Sequence, residues 1–274
     1  MKQQIIHEKQ DLTYLSWDKI RNSSGTAGSF LKSYSDIGGE KIYYKLSNYD
    51  TFHGIIGHEC VNELIVDRLL SILRIPHLDY QLIYADILID NKQYSTYLCA
   101  SKDFKKSRES KIALDAYYQM ERYEGESPLE FCVRNGWEEY IYQMLIVDFL
   151  ILNRDRHGAN MEVLRNSKEK TIRLAPLFDH GLSLLFNCKE EKKIDKFDVM
   201  EDKPIQCFVG SRSSVNNLSL IPPDKMPEIR KVKVEDREFL FAGLENIIGN
   251  ALREKIWEMI WKRWEYYESF CNQR

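Results

Sequence analysis

The hydrophobic pattern changes character near residue 108, and this change constrains the fold more than any other feature of the chain. Before it, short runs rich in Tyr, Ile and Leu lie at Tyr34 to Ser35, Lys41 to Ser47, Gln81 to Ile89 and Tyr94 to Ala100, separated by turn signals such as Gly38-Gly39 and Asp90-Asn91. Such runs predict strands of a meander-like sheet. Between them, Val61, Leu64, Ile65, Arg68, Leu69 and Ile72 recur at spacings of three and four, which predicts an amphipathic helix over Glu59 to Leu73, stopped before Pro76. After residue 108 the helical period dominates, over Lys111 to Arg122, Pro128 to Asn135, Trp137 to Leu152 and the last forty residues. A hairpin, Met161 to Arg165 with Thr171 to Ala175, interrupts these helices, and no internal repeat is visible.

The expectation is a two-lobed α+β chain, with a sheet-rich lobe over residues 1–104, a helical lobe over residues 105–274 and a connection near Ala100 to Lys105. A junction of that kind is a favoured place for a small-molecule site. Thirteen Gly and seven Pro in 274 residues fall below the usual shares of about 7% and 5%, consistent with many helices. A formal net charge of -3 argues against direct nucleic-acid binding. Six dispersed cysteines without a CxxC pair read as reduced thiols of a cytoplasmic protein, not as a zinc site. The most apolar stretch, Met144 to Leu152, is interrupted by Asp148 and is far short of the roughly 20 residues of a membrane span. It reads as a core helix, and neither an export signal nor membrane association is expected.

The most informative residues follow that helix. Asn153-Arg154-Asp155-Arg156-His157-Gly158-Ala159-Asn160 places an Asp and an Asn five apart, and after one hairpin comes Pro176-Leu177-Phe178-Asp179-His180-Gly181. A loop carboxylate can orient an attacking hydroxyl and accept its proton, while an Asn and a second carboxylate hold magnesium, a hard cation that prefers oxygen ligands. Asp155 fits the base, and Asn160 and Asp179 fit the metal ligands. A single loop Asp is ordinarily a cap or turn residue, so the weight lies in the order and spacing of both pieces. His157 and His180 read equally well as packed histidines. Arg154 and Arg156 have two readings, as phosphate binders or as donors to nearby carbonyls and carboxylates.

These two segments resemble the HipA-like serine/threonine kinases, and Asp-Arg-His-x-x-Asn is similar to the motif of the related phosphoinositide kinases. The resemblance implies a protein kinase-like fold with a small antiparallel-sheet N-lobe carrying one helix, a larger helical C-lobe, and ATP and Mg2+ as cofactors. Upstream, Lys41-Ile42-Tyr43-Tyr44-Lys45-Leu46-Ser47 resembles the family's strand ending in the ATP-binding lysine, and Asn62-Glu63 resembles the pair opening its N-lobe helix. By that likeness Lys45 contacts the ATP phosphates and Glu63 orients Lys45; without it, a surface lysine and a solvated glutamate are the competing reading. Asn22 to Phe30 supplies the candidate phosphate-covering loop, with Gly25, Thr26, Ala27 and Gly28 at its centre, although a Ser/Gly cluster is also an ordinary flexible turn. In the family this loop can carry an autophosphorylated serine, and Ser23, Ser24, Thr26 and Ser29 are the candidates. Ala100, Ser101 and Lys102 are placed at the adenine-reading hinge by lobe order alone.

Full-length HipA-like toxins carry a subdomain ahead of this loop, and about twenty residues precede it here, so the resemblance implies a compact kinase core. An antitoxin-type, DNA-binding partner would lack that docking subdomain, and the protein substrate is not specified by sequence. Two alternatives stand beside a protein kinase. One is a lipid or small-molecule kinase, against which no basic amphipathic membrane helix is found. The other is a nucleotide-binding regulatory module without turnover. The aromatic stripe Trp257, Trp261, Trp264, Tyr266 and Tyr267 reads as packing, and the charge run Lys189 to Lys196 as a solvated segment or mobile loop.

Overall fold

The computed structural model describes residues 3–18 and 30–274. Residues 22–29 of the candidate phosphate loop lie outside them, including its central Gly25, Thr26, Ala27 and Gly28 and the candidate modification residues Ser23, Ser24, Thr26 and Ser29. The first lobe contains β1 (Ile5–Asp11), β2 (Lys32–Ile37), β3 (Glu40–Lys45), β4 (Tyr49–Asp50), β5 (Gly54–Ile55), α1 (Glu59–Leu73), β6 (Gln81–Ile89) and β7 (Lys92–Lys102). After residues 103–109 come β8 (Ser110–Ala113), α2 (Leu114–Glu121), α3 (Pro128–Arg134), α4 (Glu138–Leu150), β9 (Asp155–Arg156), β10 (Glu162–Asn166) and β11 (Thr171–Leu174). The chain ends with α5 (Glu191–Asp195), β12 (Gln206–Cys207), α6 (Ser214–Leu218), α7 (Asp236–Phe241) and α8 (Asn250–Asn272).

Five strands form the main sheet in the order β1-β6-β7-β3-β2. Its neighbours run antiparallel except β1, which joins β6 in parallel. The sheet is therefore mixed rather than purely antiparallel. Alternation along β6 assigns its faces: Ile83, Ala85, Ile87 and Ile89 are buried in a core shared with Leu31, Tyr44, Leu46 and Leu98, whereas Leu82 and Cys99 face the core that contains α1.

Helix α1 has no solvent face. Every residue from Glu59 to Leu73 except Ser71 is buried, including Asn62, Glu63, Asp67 and Arg68. The amphipathic expectation is corrected here, because the helix lies between the sheet and the second lobe instead of on a surface. Arg68, placed among apolar positions by its spacing, donates to Leu240 O, Ala242 O and Gln4 Oε1. The helix stops at Arg74, whose left-handed φ of 62° turns the chain toward Pro76, and Ile75 N bonds back to Leu70 O.

Two other segments differ from expectation. Ser110–Ala113 is a strand, not the start of the helix predicted from Lys111, because it pairs with β10 and makes a three-stranded β11-β10-β8 sheet. Within the charge run, Glu191–Asp195 forms a short helix anchored by buried Ile194 and packed against α8. Trp264 and Tyr267 are buried, and Trp257 and Trp261 stack at 5.6 Å against the same core, so these four are packing, while Tyr266 is exposed with its ring 5.5 Å from that of Phe149. No helix among the described residues is long and apolar enough to cross a membrane.

Candidate active site

Three chain segments meet around Lys45. It ends β3, Glu63 faces it from α1, and Asp179 approaches from the loop after β11. Lys45 Nζ donates to Glu63 Oε1 at 2.8 Å and to Asp179 Oδ1 at 2.5 Å. Lys32 Nζ lies 3.7 Å from the other Asp179 oxygen. The lysine side chain is 10% exposed and the glutamate 0%, which removes the reading of a surface lysine and a solvated glutamate. Burial disfavours the Lys45 ammonium, but Asp179 and Glu63 outweigh it and hold its pKa well above the ordinary lysine value. Lys45 is thus a fixed cation. Gly181 allows this close approach, since a Cβ there would stand 3.3 Å from both Lys45 Nζ and Glu63 Oε1.

The Asp155 loop is fastened from below by residues that carry no substrate-facing role. Asp148, on the last turn of α4, is 3% exposed and accepts from Arg156 Nε and Nη2, both at 2.9 Å, and from Asn153 Nδ2 at 2.8 Å. Asn153 Oδ1 in turn accepts from Asp155 N at 3.2 Å. Arg156 has no exposed surface, and its Nη1 donates to Phe178 O at 3.1 Å and to Asn160 O at 3.4 Å. One guanidinium therefore ties together helix end, Asp155 loop and Asp179 loop. Of its two sequence readings, carbonyls and a carboxylate are what Arg156 meets. The sequence marked Asp148 only as a polar break in an apolar run; the signal available was an acid eight residues before an Arg in a loop expected to be buried.

Asp155, by contrast, remains a quarter exposed. Asn160 Nδ2 donates to its backbone oxygen at 2.8 Å and its carboxylate at 3.2 Å, and His157 Nε2 lies 3.5 Å from Oδ1. The hydrogen-bond donor end of the Asn160 amide is used on Asp155, which assigns ligand capacity to its Oδ1 end. Asn160 and Asp179 each carry an oxygen of the kind a hard divalent cation prefers, and Arg156 ties their two loops together through Asn160 O and Phe178 O. Asp179 has φ of 61°, left-handed for a residue with a Cβ, and its N–H donates to Tyr80 OH at 3.3 Å. Tyr80 carried no sequence signal. His180 is buried, and burial, with Arg156 adding to it, pushes its pKa well below the ordinary histidine value, so it sits neutral beside Glu63.

Ala100, Ser101 and Lys102 lie inside β7, opposite Tyr44, Tyr43 and Ile42 of β3. Lys102 is exposed and pairs with Glu40 at 2.6 Å. Beyond it, the Phe104 ring lies 5.4 Å from the Phe178 ring at a tilt of 35°, and Lys111 Nζ sits 4.1 Å from the Phe104 ring centroid, so an aromatic and cationic wall continues from the end of β7 to the Asp179 loop. Sequence reasoning did not mark Phe104 or Lys111. Arg154 donates to Pro204 O at 2.7 Å, and β12 runs parallel to β9, with Gln206 beside Asp155. The segment near residues 204–208 thereby flanks the candidate base.

A buried lysine is paired with an acid on α1 and with Asp179, and Arg156 ties the Asp-x4-Asn loop to the Asp179 loop; comparison with solved structures gives the fold in which these segments lie. The crystal structure of the proinflammatory kinase CtkA of Helicobacter pylori superposes over 93% of this chain and 93% of that one, with a TM-score of 0.57 and 14% identity. The chain has the fold of a kinase. HipA of Shewanella oneidensis MR-1, solved with HipB and operator DNA, is similar over 94% of this chain and 68% of that chain, with a TM-score of 0.49 and 14% identity. No family model and no curated protein matches the sequence. The two-lobed α+β architecture expected from the residues, kinase-like by the resemblance, is the one observed, with a mixed rather than purely antiparallel sheet.

Proposed function

We propose that the chain is an ATP- and magnesium-dependent serine/threonine protein kinase of the HipA-like kind, acting in the cytoplasm and modifying its own Ser/Thr-rich loop. The observation that carries this reading is the buried Lys45 ammonium shared by Glu63 and Asp179, which joins sheet, helix and Asp179 loop at one point. A cation fixed between two carboxylates is suited to hold phosphate oxygens, and Glu63 keeps its direction. Asn160 and Asp179 would hold magnesium. When bound, that ion supplies charge neutralisation on the transferring phosphoryl group.

Asp155 orients the substrate hydroxyl and takes its proton as the oxygen bonds to the terminal phosphorus and the bond from that phosphorus to the ADP oxygen breaks. Asn160 steadies the Asp155 carboxylate at 3.2 Å. Catalysis of this kind rests on positioning and electrostatics. The test is incubation with γ-labelled ATP, with and without magnesium, followed by mass spectrometry of the protein. Phosphate on Ser23, Ser24, Thr26 or Ser29 with magnesium only is the expected result. Nucleotide binding without transfer, either to itself or to a panel of candidate proteins, would overturn a kinase in favour of a nucleotide-sensing module.

A further inference from the structure

The geometry points to Asn62 as a positioning residue that sets both the Asp179 loop and the Asp155 loop from a single turn of α1. This rests on the phosphotransfer reading and names a residue that reading does not use. Asn62 is wholly buried, and its Nδ2 donates to Gly181 O at 3.1 Å and to Ser183 O at 3.0 Å, so both amide hydrogens are spent on one short stretch of backbone. The adjacent Glu63 accepts from His180 N at 2.8 Å while its other oxygen accepts from Lys45. Two consecutive helix residues thus hold the peptide groups of residues 180, 181 and 183, immediately after Asp179. The far side of the same stretch is bonded to the Asp155 loop, because Arg154 N donates to Leu182 O at 3.0 Å and Leu184 N donates to Ile151 O at 2.6 Å.

Residues 180–184 therefore form a strap with α1 on one side and residues 151–154 on the other. Two left-handed residues, Asp179 and Leu184, bound it with φ of 61° and 54°. A non-glycine residue keeps that conformation only where its surroundings hold it. An Asn inside a helix is otherwise disfavoured, because its side chain competes for backbone hydrogen bonds. Packing alone would not need an amide at position 62, whereas holding two carbonyls needs two N–H donors on one side chain. Beside Glu63, which holds His180 N, Asn62 is the residue by which α1 fixes the backbone at residues 181 and 183 and so the setting of the Asp179 loop.

The test compares the parent with Asn62→Asp, which keeps the shape and removes the donors, and with Asn62→Ala in case the buried carboxylate prevents folding. Unfolding midpoints establish that each variant is folded. Binding of a non-hydrolysable ATP analogue is then titrated against free magnesium. The expected result is a magnesium half-saturation raised by about tenfold or more, the range found when groups supporting a metal ligand are removed. Faster hydrogen exchange at the His180 amide should accompany it. A folded variant with the parent's magnesium half-saturation overturns the role of Asn62 and leaves the kinase reading intact. A parent that binds no magnesium–nucleotide complex overturns both.

Discussion

Asp148 and Asp155 are seven residues apart and both accept hydrogen bonds from their own loop, yet their surroundings assign them opposite work. Asp148 and Arg156 are nearly inaccessible, bonded through two nitrogens to two oxygens, with the remaining guanidinium capacity spent on carbonyls of Phe178 and Asn160. Asp155 is partly open and is held by an amide and by the approach of a histidine. A closed pair of ions fixes loops in place; an open carboxylate on the fixed loop is the one proposed above as the base. The difference teaches that burial and satisfaction separate the scaffold carboxylate from the proposed base, although residue type does not.

The largest effect should come from opening the closed pair. Asp148→Asn leaves the Arg156 charge buried without its carboxylate, and breaking such a pair costs about 3–5 kcal/mol. Denaturant unfolding should register that loss, and a variant as stable as the parent would break the contrast. Next comes His58 at the start of α1, which burial pushes down to about 4. Its folded pKa lies below the unfolded value of about 6.5, so the unfolded chain binds more protons between those values. Its contribution is complete above about pH 6.5 and is lost as the pH falls toward 4, amounting to at most about 3 kcal/mol. His58→Asn should flatten the stability profile in that window; an unchanged slope would remove His58 from the account. Smallest is Lys102→Ala at the exposed pair with Glu40, where a change below about 1 kcal/mol is expected, and a larger one would show that β7 depends on this contact.

Sequence made some of this legible for identifiable reasons. The helix over Glu59 to Leu73 and the hairpin of β10 and β11 were readable because apolar spacing and the Pro76 stop act within a few residues. Strand β1 was not, since most of its side chains face away from the core and its pairing is with residues 82–86, far along the chain. Ser110–Ala113 was misread because its partner is likewise non-local. At the site, Asp155, Asn160 and Asp179 stood out through order and spacing. Asp148, Tyr80 and the double donation by Asn62 depend on which backbone groups three separate segments bring together, and no local pattern encodes that.

The most direct measurement pairs unfolding with phosphate transfer in Asp155→Asn, an isosteric change at a partly open site. The account predicts an unfolding midpoint close to the parent's and transfer from ATP reduced by at least about 100-fold, the scale of a lost general base. A folded Asp155→Asn protein that transfers phosphate at a rate within a few-fold of the parent would contradict it.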